Sequence, residues 1–137
     1  MEFEFLDHPA DIGFRAYGAN VEELFANCAQ ALVYIILDGS NIQSVQQVSL
    51  SAEGGDYESL LVNWLNEVLY YVDGKRIALC AFDISQLSET QIECIATGEA
   101  RNPKRHPPKL AVKAVTYHQL KVERTENGWI AEVYVDV

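Results

Sequence analysis

Carboxylates near the two ends of the chain are the side chains best suited to chemistry. Asp7 and Asp11 bracket a predicted turn, and Asp136 stands immediately before the last residue, Val137. A strand that ends in an aspartate and a chain carboxylate concentrates hard oxygen ligands, which suit Mg²⁺, Mn²⁺ or Ca²⁺. A plainer interpretation has Asp11 capping the turn and Asp136 exposed at a strand end. The spacing alone leaves both interpretations open.

Several other catalytic arrangements are missing from the sequence. It contains no Walker or Rossmann phosphate loop and no Gly-x-Ser-x-Gly nucleophile. The three histidines share no ligand spacing, and the three cysteines form no Cys-x-x-Cys pair. Zinc coordination and a disulfide framework are therefore disfavoured. We predict that Cys28, Cys80 and Cys94 are small buried hydrophobic side chains in a reducing compartment.

The net charge limits the partners that the protein can bind. Twenty acidic and ten basic side chains give a formal net charge of −10 at pH 7. An acidic surface repels a phosphate backbone, so any contact with RNA should run through a partner or through a local basic patch. The segment 101–109 is such a patch, because it contains Arg101, Lys104, Arg105 and Lys109. It is either a solvated loop or a contact surface.

Length and composition favour one globular domain spanning residues 1–137. Hydrophobic residues make up 49% of the chain and charged residues 22%, which is ordinary for a folded domain. The first residues lack the basic start and apolar stretch of a signal peptide. The longest apolar run, Ala31 to Leu37, is far shorter than the roughly 20 residues that cross a bilayer. We therefore expect a cytoplasmic protein that does not enter the membrane.

The elements that must position the carboxylates follow from hydrophobic periodicity. Alternating residues predict two strands before a first helix, which Asn20 caps and Glu23 supports as a capping-box partner. A second helix follows Asp56 and ends at Gly74. With one strand between the helices and four after them, the order is β-β-α-β-α-β-β-β-β. This order predicts an α+β domain, mostly antiparallel, with two amphipathic helices packed on the sheet.

Two long alternating runs, Ala111 to Glu123 and Trp129 to Val137, close the chain. Asn127-Gly128 between them predicts a two-residue hairpin. In that register Asp136 lies opposite Gln119 and shares a sheet face with Lys113, Val115 and Tyr117. A lysine beside carboxylates either forms a salt bridge or is a cation positioned to meet a phosphate. A shift of one residue would move Asp136 to the opposite face.

The same segments, in the same order, resemble the motifs of the archease family. The resemblance spans nearly the whole chain, and the pairing of the N-terminal Asp-His-x-Ala-Asp turn with Lys-Ala-Val-Thr-Tyr-His is specific. The resembling segments are Asp7-His8-Pro9-Ala10-Asp11-Ile12-Gly13, Leu60–Glu67, Gly98-Glu99 with His106, Val112–His118 and Val135-Asp136-Val137.

This resemblance implies a non-catalytic activator of an RtcB-type RNA ligase. Such a ligase forms a guanylylated histidine from GTP with Mn²⁺, and the activator promotes that step and repeated turnover in tRNA splicing or RNA repair. By the resemblance, Asp11 and Asp136 bind a divalent cation (Ca²⁺, Mg²⁺ or Mn²⁺), Val137 contributes a main-chain oxygen, and Lys113 is a functional lysine. The implied partner is the ligase, so RNA is reached only indirectly.

The sequence departs from the family pattern at two positions, and other functions compete. Pro9 replaces the usual threonine, and Asn102 stands where many relatives carry an acidic residue. The second departure weakens any role for that loop in supplying a ligand. One competing function is a stand-alone metal-dependent phosphohydrolase, which usually needs more ligands and an identifiable base. The other is a chaperone-like or RNA-binding module, and the net charge counts against RNA binding.

Overall fold

In the part of the chain that the structure describes, the fold consists of eight strands and two α-helices. The computed structural model describes residues 2–8 and 11–137, and the side chains of all of these except Asp7, His8 and Asp11. The elements are β1 (Phe3–His8), β2 (Asp11–Gly18), α1 (Val21–Ile36), β3 (Gln46–Glu53), α2 (Tyr57–Leu69), β4 (Ile77–Leu87), β5 (Gln91–Ala100), β6 (Ala114–Val115), β7 (Lys121–Thr125) and β8 (Gly128–Asp136). A short 3₁₀ turn at Gly39–Asn41 follows α1, and a π-helical turn at Tyr70–Gly74 follows α2.

The strands form two antiparallel sheets. In the first sheet the order is β1-β2-β8-β6, and β7 also pairs with β8. The second sheet has the order β3-β5-β4. The two helices cover the apolar faces of these sheets, which confirms the predicted α+β class. Because β2 and β8 are neighbours, the N-terminal and C-terminal segments lie side by side, as a site made from both would require.

Both helices begin at the predicted caps. The Asn20 side chain accepts the Glu23 backbone N–H at 2.8 Å, and the Asp56 side chain accepts the Ser59 backbone N–H at 2.8 Å. The reciprocal capping box is complete only at Asp56, where the Ser59 hydroxyl is the second member. The predicted box of Asn20 with Glu23 is therefore half formed, while an unpredicted one starts α2. These caps satisfy backbone donors that the first turn of a helix leaves unpaired.

The predicted last-but-one strand is broken in two. A turn separates β6 from β7, in which the Leu120 N–H donates to the Tyr117 carbonyl at 3.2 Å and Gln119 has a φ of 52°. Few residues other than glycine adopt this left-handed region, so the turn interrupts the pairing with β8. Alternation in the sequence continues across the break, which is why a single strand over Ala111 to Glu123 was the wrong prediction.

The broken strand also corrects the predicted position of Asp136. Thr125 pairs with Gly128, so Glu126 and Asn127 form the hairpin turn rather than Asn127 and Gly128. Further along the sheet, Asp136 pairs with Ala114 and not with Gln119. Opposed residues of an antiparallel pair point to the same face, so Asp136 shares its face with Ala114 and not with the neighbouring Val115. The predicted common face with Lys113, Val115 and Tyr117 is therefore wrong.

Within residues 2–8 and 11–137, no helix is both long enough and apolar enough to cross a membrane.

Candidate functional site

The beginning of β2 and the end of β8 meet at one edge of the first sheet. Ile12 pairs with Val135, and Asp11 and Asp136 are each the next residue outward on their strands. Adjacent strands lie about 4.8 Å apart, so the backbones of the two aspartates are neighbours. The fold thus brings two of the predicted ligand positions to the same edge, although the side chain of Asp11 lies outside the described residues.

The carboxylate of Asp136 is exposed and unpaired within the described part of the chain. Its main-chain oxygen accepts the Lys113 backbone N–H at 2.7 Å, which continues the β6 pairing by one residue. Val137 follows it and is 50% exposed. Asp136 and the main-chain oxygens of Val137 are hard oxygen donors at a solvent-accessible edge, so this donor set suits Mg²⁺, Mn²⁺ or Ca²⁺.

Three ligands do not come together among the side chains that the structure describes. Those side chains include no group of three or more His, Cys, Asp or Glu placed to hold a metal ion. Of the predicted set, the side chain of Asp11 lies outside them, and Val137 would contribute only a main-chain oxygen. The metal site therefore stays a prediction, supported by the strand register and by the exposed carboxylate of Asp136.

Lys113 connects this edge to the end of α2. Its backbone is bound to Asp136, while the residue lines a surface cleft of about 290 Å³ with Asn66, Tyr70 and Asp73. Lys113 is exposed and takes part in none of the ion pairs of the described residues. Of the two interpretations left open by the sequence, a plain salt bridge with Asp136 is thus not observed.

Asn66 fixes the position of β6 and was not singled out from the sequence. Its Nδ2 donates to the Val115 carbonyl at 3.2 Å, and its Oδ1 accepts the Val115 N–H at 2.9 Å. A side-chain amide on α2 therefore takes the place of a neighbouring strand for this two-residue element. The only signal in the sequence was that Asn66 lies beside the apolar stripe of a helix. A polar amide at such a position more often faces solvent, so it did not stand out.

The basic segment 101–109 is folded back onto the protein. Arg105 donates two hydrogen bonds to the Glu99 carboxylate, at 2.6 and 2.9 Å. His106 is 1% exposed, and its Nδ1 accepts the Asn102 N–H at 3.0 Å. Its Nε2 must then carry the proton that is shared with Glu99 Oε2 at 3.1 Å. Arg105 and His106 are therefore structural, and a freely solvated loop is the wrong description of their part of the segment.

The pKa of Glu99 is lowered by its partners. The Gln43 backbone N–H at 2.7 Å contributes most, and Arg105 and His106 add to it. A carboxyl whose pKa is lower in the folded protein stabilises it above the ordinary value of 4.5, and this stabilisation is lost as the pH falls through the folded pKa.

We therefore expect Glu99→Gln to reduce the acid sensitivity of folding. Urea unfolding between pH 7 and pH 3 should show a smaller loss of stability for Glu99→Gln than for the parent, together with lower stability at pH 7. Glu93→Gln on the same strand is the matched control, because Glu93 has no ion pair within the described residues. Equal pH profiles for the parent and Glu99→Gln would contradict the assignment.

The three cysteines are free thiols. Cys28 and Cys94 are buried, as predicted, and Cys80 is half-buried. Burial raises the pKa of Cys28, and it raises the pKa of Cys94 to about 12. These two thiols are therefore protonated at neutral pH and poorly suited to metal binding or nucleophilic attack.

Comparison with known proteins gives one consistent family. The family model of the archease proteins matches residues 3–137. Protein archease from Methanosarcina mazei is 39% identical over 140 residues, which covers 99% of this chain and 96% of the relative. Protein archease from Saccharolobus islandicus is 42% identical over 137 residues, which covers 98% of each chain.

Two solved structures share the fold. The solution structure of protein 1598 from Methanobacterium thermoautotrophicum has a TM-score of 0.75 and 31% identity, and it covers 98% of each chain. The crystal structure of an archease from Thermotoga maritima, named a possible chaperone, has a TM-score of 0.62 and covers 96% of this chain and 94% of its own. The second is 19% identical, so it supports the fold alone.

Proposed function

Because this chain belongs to the archease family, we propose that it is a metal-binding protein cofactor that activates an RtcB-type RNA ligase and is not itself catalytic. It would promote the GTP-dependent guanylylation of the ligase and its multiple turnover, in tRNA splicing or RNA repair. The partner is then the ligase, with RNA reached through it. We also propose that the protein acts in the cytoplasm.

One observation carries this proposal. The strand register brings Asp11, Asp136 and the backbone of Lys113 to one open edge of the first sheet. Two acidic residues and a lysine at an exposed edge can reach the active site of another protein, whereas an enzyme site is usually a concave pocket. The arrangement favours a site that a partner completes.

Asp11, Asp136 and a main-chain oxygen of Val137 would hold the cation, which is Ca²⁺, Mg²⁺ or Mn²⁺. A bound divalent cation supplies positive charge that neutralises phosphate oxygens. The residues of the chain do the remaining work. Asp136 is held in place by the Lys113 N–H at 2.7 Å, and the exposed Lys113 ammonium would contribute a second positive charge toward a triphosphate.

The overall charge of the protein suits this role. With a net charge of −10, the surface complements a basic RNA-binding channel on a ligase. Charge complementarity of this kind mainly raises the rate of encounter, and salt screens it. Activation should therefore weaken as ionic strength rises, even where the ligase itself is insensitive to salt.

The test is a guanylylation assay with the cognate ligase, radiolabelled GTP and Mn²⁺, with and without this protein. We expect faster labelling of the ligase when the protein is present and no labelling of the protein itself. Labelling at the same rate in both reactions would overturn the proposal.

The competing functions have separate tests. Incubation of the pure protein with Mg²⁺ or Mn²⁺ and nucleotides or RNA would reveal a phosphohydrolase by turnover without the ligase. A chaperone-like role would require suppression of aggregation of an unrelated unfolded protein. Exposed apolar side chains such as Phe5, Val45 and Leu110, which are 51%, 70% and 40% exposed, could serve it. We expect neither activity.

A further inference from the structure

The end of α2 carries an unusual group of aromatic and cationic side chains. The helix widens into the π-turn Tyr70–Gly74, closed by the Lys75 N–H donating to the Tyr70 carbonyl at 2.9 Å. Tyr70 is 54% exposed. The Lys75 ammonium lies 5.8 Å from the ring centre of Tyr70 and 5.6 Å from that of Tyr71. Single π-turns are rare and are often found at functional sites.

Positive charge exceeds negative charge at this place. Arg76 and Arg101 both approach the same oxygen, Asp73 Oδ1, at 3.5 and 3.4 Å. Lys113 lines the adjoining cleft together with Tyr70 and Asp73. The Asp73 carboxylate therefore contacts two of the four cations of this region, and neither Lys75 nor Lys113 forms an ion pair within the described residues. We name Tyr70, Tyr71, Asp73, Lys75, Arg76, Arg101 and Lys113 the π-turn patch.

Arg76 and Arg101 are held close to each other by their backbone and side-chain contacts. The side chain of Arg101 is 6% exposed and also donates to the Val72 carbonyl at 3.2 Å. Burial and the neighbouring charge of Arg76 lower the pKa of Arg101. Arg76 has a φ of 59°, an uncommon conformation for a residue other than glycine, and its carbonyl accepts the Arg101 N–H at 2.8 Å. An added anion would relieve the repulsion between the two guanidinium groups.

The π-turn patch differs in charge from the rest of the acidic protein. It holds four of the ten Lys and Arg residues of a chain whose net charge is −10. Salt screens the acidic side chains that lie more than about 10 Å away, so a local group of cations can attract an anion even on an acidic protein. Its ligand must be anionic, and the exposed ring of Tyr70 beside the cations adds a flat apolar surface.

Nucleic acids have both the negative charge and the flat rings that such a ligand needs, since they join phosphates to planar bases. Single-stranded nucleic acids bind to surfaces where cations follow the backbone and aromatic rings stack with bases. An acidic protein segment would use the cations, but its carboxylates would not stack on the ring of Tyr70. The cleft, of about 290 Å³, is open rather than enclosing, which suits a strand passing over it better than a free nucleotide.

We propose that the π-turn patch binds single-stranded RNA, with phosphates at Lys75, Arg76 and Lys113 and a base stacked on Tyr70. This contact is direct and local, so it goes beyond the proposed function, in which RNA is reached through the ligase. It does not depend on Asp11 or Asp136, and it can be measured without the ligase.

The test measures fluorescence anisotropy of a short labelled single-stranded RNA with the protein alone, at low and rising salt. We expect a dissociation constant of roughly 10⁻⁶ to 10⁻⁴ M, the range of non-specific binding. The double variant Lys75→Gln/Arg76→Asn should weaken binding about five-fold or more and lower the salt slope by about 1.4, since each of the two lost phosphate contacts contributes about 0.7 for a single strand. Asparagine is chosen for position 76 because it tolerates a positive φ.

Tyr70→Ala should weaken binding at least about five-fold with an unchanged salt slope, because stacking does not release counterions. Lys121→Gln/Arg124→Gln on β7 is the matched control. Arg124 pairs with Trp129, which packs on Tyr57 at the start of α2, whereas the π-turn follows the end of that helix. The control removes the same charge and should bind RNA almost as well as the parent. Circular dichroism and thermal unfolding establish that each variant is folded.

Two results would overturn the proposal. One is a loss of affinity in the β7 control equal to that in Lys75→Gln/Arg76→Asn. That result would mean that the affinity for RNA depends on the net charge of the protein and not on the π-turn patch. The other is unchanged RNA binding in Tyr70→Ala together with tighter binding of a poly-glutamate peptide than of RNA, which would make the patch a protein-docking surface.

Discussion

Asp136→Asn is expected to lower the affinity of the protein for a divalent cation at least about 10-fold, since loss of even an outer partner of a metal ligand commonly costs 10- to 100-fold. The same change should abolish ligase activation. Asparagine keeps the size of the side chain and the pairing of the backbone with Lys113 and Ala114, so it removes charge without disturbing β8. Titration calorimetry with Ca²⁺ and with Mn²⁺ measures the affinity directly.

Asp83→Asn is the matched control, because Asp83 is an exposed aspartate on β4 in the other sheet. It should bind the cation as the parent does. If Asp11 and Asp136 hold the same ion, Asp11→Asn should lose about as much affinity as Asp136→Asn. The double variant should lose little more than either single variant, because the first substitution already removes most of the binding at their shared site. Additive losses would mean that the two aspartates serve different sites, and unchanged affinity in Asp136→Asn would discard the metal site.

Trp64→Ala should lower the free energy of unfolding by about 4 kcal/mol, as expected for truncating a large aromatic side chain in a core. The indole is fully buried, its Nε1–H donates to the Phe25 carbonyl at 3.1 Å, and its ring meets Phe82 edge to face at 6.1 Å between centroids. It joins α2 to α1 and to the second sheet. Trp64→Phe should cost less, because the ring contact remains and only the hydrogen bond and part of the volume are lost.

Equilibrium urea unfolding followed by circular dichroism measures the effect. Tyr70→Ala on the same helical segment is the control: its side chain is 54% exposed, and its removal should change stability by less than about 0.5 kcal/mol. A loss below about 1 kcal/mol for Trp64→Ala would contradict the close packing of the core around the indole.

Most elements of the fold could be predicted from the sequence, because their formation depends on residues close together in the chain. The apolar stripe of α2 and the caps at Asn20 and Asp56 depend on residues within one helical turn, and all are observed. The break between β6 and β7 was missed because Gln119 carries no sequence mark of a left-handed conformation. Gly74 was predicted to end α2, and it ends the π-turn instead, since the same apolar spacing fits both kinds of turn.

The sequence singled out candidate site residues by type and position, but it did not predict their hydrogen-bonding neighbours. Asp11 and Asp136 were singled out by their type and position, and the pairing of β2 with β8 places their backbones next to each other. The network around Glu99 was not predicted, because its hydrogen-bonding partners include Gln43, 56 residues away along the chain. Contacts across that separation are set by the tertiary fold and leave no periodic pattern in the sequence.

The most direct test of the central claim counts ligation events per ligase molecule. Cleaved RNA, GTP and Mn²⁺ are mixed with the cognate ligase and a smaller molar amount of this protein, and joined RNA is followed until the reaction stops. If the protein is an activator, the ligase should join many RNA molecules each in its presence and far fewer without it, and Asp136→Asn should behave like the reaction without protein. The same number of joined molecules with and without the protein would contradict the account.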